Sequence, residues 1–139
     1  MLADLPGHMR SALAGSDGTA RHPALSWTAA AYVSHVADNL RIYAERLAGA
    51  ALGAAGPITE YDQDALADAR NYNLISVESA LWSIEHGVTD MLAALALCGP
   101  ATTLTFVDGA TASVHDVLLR TTHDAVHHVW DVGRSVTAG

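Results

Sequence analysis

Histidine dominates the groups able to do chemistry in this 139-residue chain: there are eight, and four of them lie between residues 115 and 128. The run His123-Asp124-Ala125-Val126-His127-His128 contains two pairs four residues apart, His123/His127 and Asp124/His128. Residues at that spacing share one face of a helix, so either pair can grip one metal ion. A third ligand has to come from another helix, and His35 is the candidate. Two helices would then hold a divalent ion near one end of a bundle, leaving a position open for water or substrate. Taken alone, the spacing also fits histidines exposed on a helix surface.

Other residues offer less. Asp38 and Asn39, one turn beyond His35, are placed either to orient it or a bound water, or simply to face solvent. Trp27, Trp82 and Trp130 are expected in the core of so small a fold. Glu78 and Glu85 read as surface charges, and Arg41/Glu45 as an ordinary i,i+4 pair. Cys98 is the only cysteine; it reads as a small apolar residue and not as a nucleophile. A glycine-rich phosphate loop, a Ser-His-Asp pattern and paired cysteines are all absent. His123-Asp124 with Asp131 outlines an HD-type phosphohydrolase pair, but the further acid and histidine that such a site needs on separate helices are missing.

The elements that must position these residues follow from periodicity. A short helix over Asp4–Ala14 ends at Gly15-Ser16-Asp17-Gly18. Ser26 can cap a long helix over Trp27–Leu52, whose apolar stripe is Val33, Ala37, Leu40, Ala44 and Leu47. A short helix begins near Asp62, breaks at Asn71-Tyr72-Asn73, and gives way at Ser76 to a helix reaching Leu97, stopped by Gly99-Pro100. Thr102–Val107 is rich in β-branched residues and reads as a short extended segment with a turn at Asp108-Gly109, too little for a sheet of consequence. The last helix runs from Ser113 to Val136. Its apolar arc centres on Ala125, Val129, Val132 and Val136. His128 lies at the border of that arc with Asp124 one turn earlier, His127 points nearly opposite, and His123 joins a secondary stripe with Leu119, Val126 and Trp130. His35 falls off the main stripe of its own helix, beside Ala31 and Ile42. Phase therefore favours Asp124/His128 over His123/His127 and leaves both open. The fold class is all-α, an up-down four-helix bundle with a short extended segment before the last helix, as one domain over residues 1–139.

Composition narrows the partners. Seven cations against fifteen acids give a charge of −8, and all seven cations are arginine. No basic patch for nucleic acid and no polybasic membrane anchor is available. The start Met-Leu-Ala-Asp-Leu-Pro lacks the cationic and apolar run of a signal peptide, and no long apolar run spans a bilayer, so a cytoplasmic location is expected. The apolar helix faces permit a homodimer.

His-Val-Ala-Asp-Asn-Leu at His35, after a Trp-led helix start, and the terminal Val-Leu-Leu…His-Asp-x-x-His-His…Asp-Val helix resemble the DinB/YfiT-like superfamily of metal-binding four-helix bundles. The likeness covers nearly the whole chain in element order. It implies zinc or nickel held by one histidine of the second helix and a pair four apart on the last. That pair is His-x-x-x-His in many members and Glu-x-x-x-His in others, including the mycothiol-dependent maleylpyruvate isomerase type. Ungapped matching of Val117-Leu118-Leu119 and His127-His128 puts Asp124 and His128 on the ligand positions, with Asp departing from the usual Glu or His. The other register implies His35, His123 and His127. The resemblance further implies thiol chemistry, a transferase- or isomerase-like reaction on a mycothiol- or bacillithiol-type cofactor or other small molecule. The alternative is a bundle that binds a small ligand or dimerises, its metal site lost or weakened.

Overall fold

The computed structural model describes residues 1–54 and 56–139. Five α-helices, α1 (Leu5–Leu13), α2 (Ala29–Ala51), α3 (Gln63–Ala69), α4 (Val77–Leu97) and α5 (Val114–Ala138), are joined by loops and one hairpin, β1 (Thr103–Thr105) and β2 (Thr111–Ser113). Single 3-10 turns occupy Leu2–Asp4 and Tyr72–Leu74. The chain is therefore mostly helical, with a small two-stranded sheet.

Short polar side chains start the helices by accepting the free N–H groups of the first turn. Asp62 caps α3, Ser76 caps α4, and Ser113 with Asp116 forms a capping box at α5. At α2 the cap is Thr28, whose hydroxyl accepts from Ala31 N–H, and not the expected Ser26. Asn71, with φ of 51°, takes the left-handed conformation that ends α3 and turns the chain into the next 3-10 turn.

α2 is the central element. It lies against both α4 and α5, and α1 packs against the same two helices. Leu5, Met9 and Leu13 of α1, Val33, Leu40 and Leu47 of α2, Ile84, Met91 and Ala94 of α4, and Val117, Ala125 and Val132 of α5 share one core. A Cβ at Gly87 would sit 2.9 Å from the carbonyl oxygen of Ala37, so glycine is what lets α4 close on α2. From Ala29 to Asp38 every residue of α2 is buried, on all sides of the helix and not along one stripe. That is why His35, off the apolar stripe by phase, is an interior residue.

One expectation is sharpened and one fails. The extended segment before α5 pairs with a second strand in a small two-stranded sheet: Thr103, Leu104 and Thr105 lie antiparallel to Ser113, Ala112 and Thr111. Leu104 and Ala112 turn inward, so even three-residue strands are worth forming. Ile58 adds a parallel bridge at Phe106, with Ile58 N–H donating to Thr105 C=O at 2.8 Å. Trp82 and Trp130, expected in the core, are 61% and 58% exposed. α4 packs through Ala80, Ile84, Gly87, Val88, Met91 and Ala94, and Trp82 stands off that face. Trp130 belongs with Leu119 and Val126 to the exposed stripe of α5. Among the described residues, no helix is long and apolar enough to cross a membrane.

Candidate metal centre

Where α2 meets α5, three side chains converge. His35 comes from the buried first half of α2, and Asp124 and His128 stand one turn apart on the facing side of α5. Nε2 of His35 is 3.4 Å from Asp124 Oδ2, and Nε2 of His128 is 3.3 Å from Asp124 Oδ1. The three donor atoms lie within 4.8 Å of one another. The two imidazole rings stand nearly perpendicular, with centroids 4.9 Å apart. Trp27 lies beside His35, and Tyr32 stacks on His128.

His35 is 2% exposed, and its Nε2 has no hydrogen-bond partner. The contact with Asp124 is close in distance but lacks hydrogen-bond geometry. A buried polar atom left in this way costs about 1–3 kcal/mol. Two imidazole nitrogens and a carboxylate oxygen form a donor set suited to a divalent transition metal. These His and Asp groups could hold a metal ion, and the orphaned nitrogen fits that use.

Each α5 donor has its own support. His128 Nδ1 is 2.9 Å from Oδ2 of Asp131, a buried carboxylate whose Oδ1 accepts from Arg134 at 2.5 Å. Asn39 donates from its amide to Asp124 Oδ2 at 3.4 Å while accepting from the Tyr61 hydroxyl at 2.7 Å. Tyr61 is carried there by the strap that follows Ile58, which is tied down by Arg46 donating to Thr59 C=O and by Tyr43 donating to Glu60. Burial pushes the Asp124 carboxyl up, but its interactions with His128 and His35 outweigh that and hold it well below the usual carboxylate range. Burial pushes the His128 imidazole down, but Asp124 and then Asp131 reverse the sign and raise it.

Several sequence-based candidates lie elsewhere. His123 is exposed. His127 is exposed too, with Nε2 3.4 Å from Asp131 Oδ2, and forms a second close group with His128 and Asp131. The set His35, His123 and His127 is not gathered. Asp38 does not orient His35; it is buried among Arg70, Arg41 and Tyr72, all of which donate to it. Asn39 turns to Asp124 and not to His35. Cys98 is half-buried and donates to Ala94 C=O.

Arg134 and Tyr61 were not singled out in the sequence, and Asp131 was weighed only as part of an HD-type pair and not as the support of His128. Asp131 carried a usable signal, an acid three residues beyond His128 and next to the inward-facing Val132. Tyr61 carried none, since a strap between helices has no periodicity. A cleft of about 420 Å3 is lined in part by Trp27 and Tyr72. Another of about 430 Å3 lies between the end of α2 and β1, and neither cleft is lined by His35, Asp124 or His128. No family model, no curated protein and no solved structure matches this chain.

Proposed function

We propose that the chain is a DinB-like four-helix bundle in which His35, Asp124 and His128 hold one divalent metal ion, zinc or nickel. The bundle would be α1, α2, α4 and α5, a reading supported by α1 and α2 each packing against both α4 and α5. In this reading the protein is a metal-dependent enzyme of the thiol S-transferase or isomerase kind, acting on a low-molecular-weight thiol and a small substrate. The observation that carries it is the partnerless Nε2 of buried His35, aimed at a carboxylate and a second imidazole. A bundle that had dispensed with metal would gain stability by replacing that nitrogen with an apolar group.

A divalent ion held by His35, Asp124 and His128 would supply Lewis acidity, lowering the pKa of a bound thiol or water. The chain's own residues do the rest. Trp27 and Tyr32 wall the two imidazoles, and Asn39 with Tyr61 keeps Asp124 turned toward them. Asp124 stays ionised over the working pH range, because its carboxyl is held low.

Elemental analysis of the purified, untagged protein, after zinc or nickel loading and desalting, tests the reading. We expect near one ion per chain, lost in His35→Ala and His128→Ala and kept in His127→Ala. Retention by His128→Ala with loss in His127→Ala would overturn the ligand set. No retained metal in the unsubstituted protein would favour the ligand-binding or dimerising bundle. A metal-replete protein then warrants a thiol-substrate screen.

A further inference from the structure

Resting on that metal reading, we propose that Asp131, locked by Arg134, is a positioning residue that sets the tautomer of His128. An ionised carboxylate only accepts hydrogen bonds. Its Oδ1 is taken by the Arg134 guanidinium at 2.5 Å, and its Oδ2 faces His128 Nδ1 at 2.9 Å. Asp124 Oδ1 faces the other ring nitrogen, Nε2, at the longer distance of 3.3 Å, so the closer carboxylate, Asp131, claims the proton for Nδ1. A neutral imidazole has one N–H, so the lone pair falls on Nε2, the atom that faces Asp124 and stands near His35. The Asp131 side chain is 3% exposed, so water does not substitute for either partner. Arg134 is held in turn, its guanidinium 4.0 Å over the Trp130 ring. Exposed Trp130 thereby serves the site indirectly.

This arrangement makes an unusual prediction about conservative change. In Asp131→Asn one oxygen becomes an NH2 group. Arginine can only donate, so the amide must give its oxygen to Arg134 and its NH2 to His128. His128 Nδ1 is then forced to accept, and the proton moves to Nε2, where it points at the metal position. The near-isosteric asparagine should do more harm than alanine, which leaves His128 free to choose its tautomer. Removing Arg134 as well lets the amide turn over and present its oxygen to Nδ1. A carboxylate that mattered only for packing would give the reverse order, with alanine the worse.

Two readouts test this, the first needing no metal. Nitrogen-15 NMR of the imidazoles, at a pH alkaline enough to neutralise them, should show His128 protonated on Nδ1 in the unsubstituted protein. It should be protonated on Nε2 in Asp131→Asn, and on Nδ1 again in Asp131→Asn/Arg134→Ala. Arg134→Ala alone serves as the folding control. Zinc titration against a chromophoric chelator should show Asp131→Asn weakened about 10–100-fold, Asp131→Ala weakened less, and the double variant partly restored. An unchanged tautomer in Asp131→Asn, or tighter zinc binding by asparagine than by alanine, would overturn the proposal. Tautomers as expected in an unsubstituted protein that takes no zinc would overturn the metal reading alone.

Discussion

A buried imidazole nitrogen with no partner is a stability cost. His35 is 2% exposed, with Trp27 and His128 against its ring. Replacing it with leucine, similar in bulk and without polar atoms, should raise the stability of the metal-free protein by about 1 kcal/mol. The same change should abolish any rise in melting temperature on adding zinc, because a ligand that binds only the folded state stabilises in proportion to its affinity. Thermal unfolding with and without zinc checks both halves. A clear loss of metal-free stability in His35→Leu would show that the nitrogen is satisfied after all. At this scale the chain was partly legible. The convergence of His35, Asp124 and His128 followed from i,i+4 spacing, helix phase and the matched register of the last helix. The outer partners were less so: Asp131 stands at a suggestive spacing of three from His128, but whether the two bond depends on rotamers that spacing alone does not encode.

Between elements, the site depends on how closely α2 is gripped. α2 carries His35 and Asn39, and α4 holds it from the side opposite the site at a point where a Cβ on Gly87 would meet Ala37 C=O at 2.9 Å. Gly87→Ala sets two effects against each other. Alanine gains about 1 kcal/mol of helix propensity, and a backbone carbonyl cannot move aside as a flexible side chain would. Overpacking of this kind costs about 1–3 kcal/mol. The net expectation is destabilisation in urea unfolding, and a more stable Gly87→Ala protein would show that the two helices separate freely. The helices and their order were legible, since 3.6-residue periodicity is a local property; the one cap read from the sequence, Ser26, is instead Thr28. Three things were not. Gly87 looks like any tolerated helix glycine until the facing helix is in place. The three-residue strands fall below the length at which alternation is informative. Which tryptophans end up outside was decided by the choice of packing face on α4 and α5.

Across the whole molecule, the tyrosines give the fold a defined alkaline limit. All four, Tyr32, Tyr43, Tyr61 and Tyr72, have phenols pushed above their ordinary value, chiefly by burial. Nearby carboxylates add to this, Asp131 at Tyr32, Glu60 at Tyr43, Asp124 at Tyr61 and Asp38 at Tyr72. In the unfolded chain the same phenols ionise near about pH 10. Raised folded-state values mean that the native protein keeps these protons after the unfolded chain has lost them. The stability they contribute is therefore complete below about pH 10 and falls as the pH rises above it, by up to about 1.4 kcal/mol per pH unit for each buried phenol. Two consequences are measurable together. Phenolate absorbance of the native protein should stay flat through about pH 10, while the protein in denaturant titrates there normally. Beyond that point phenolate should appear in step with loss of helical circular dichroism, because the acceptors that hold the hydroxyls, Asp38 for Tyr72 and Asn39 for Tyr61, are released only when α2 comes away. Phenolate rising near about pH 10 with the helices intact would show these hydroxyls to be open to solvent. The Tyr61 hydroxyl would then not be held on Asn39.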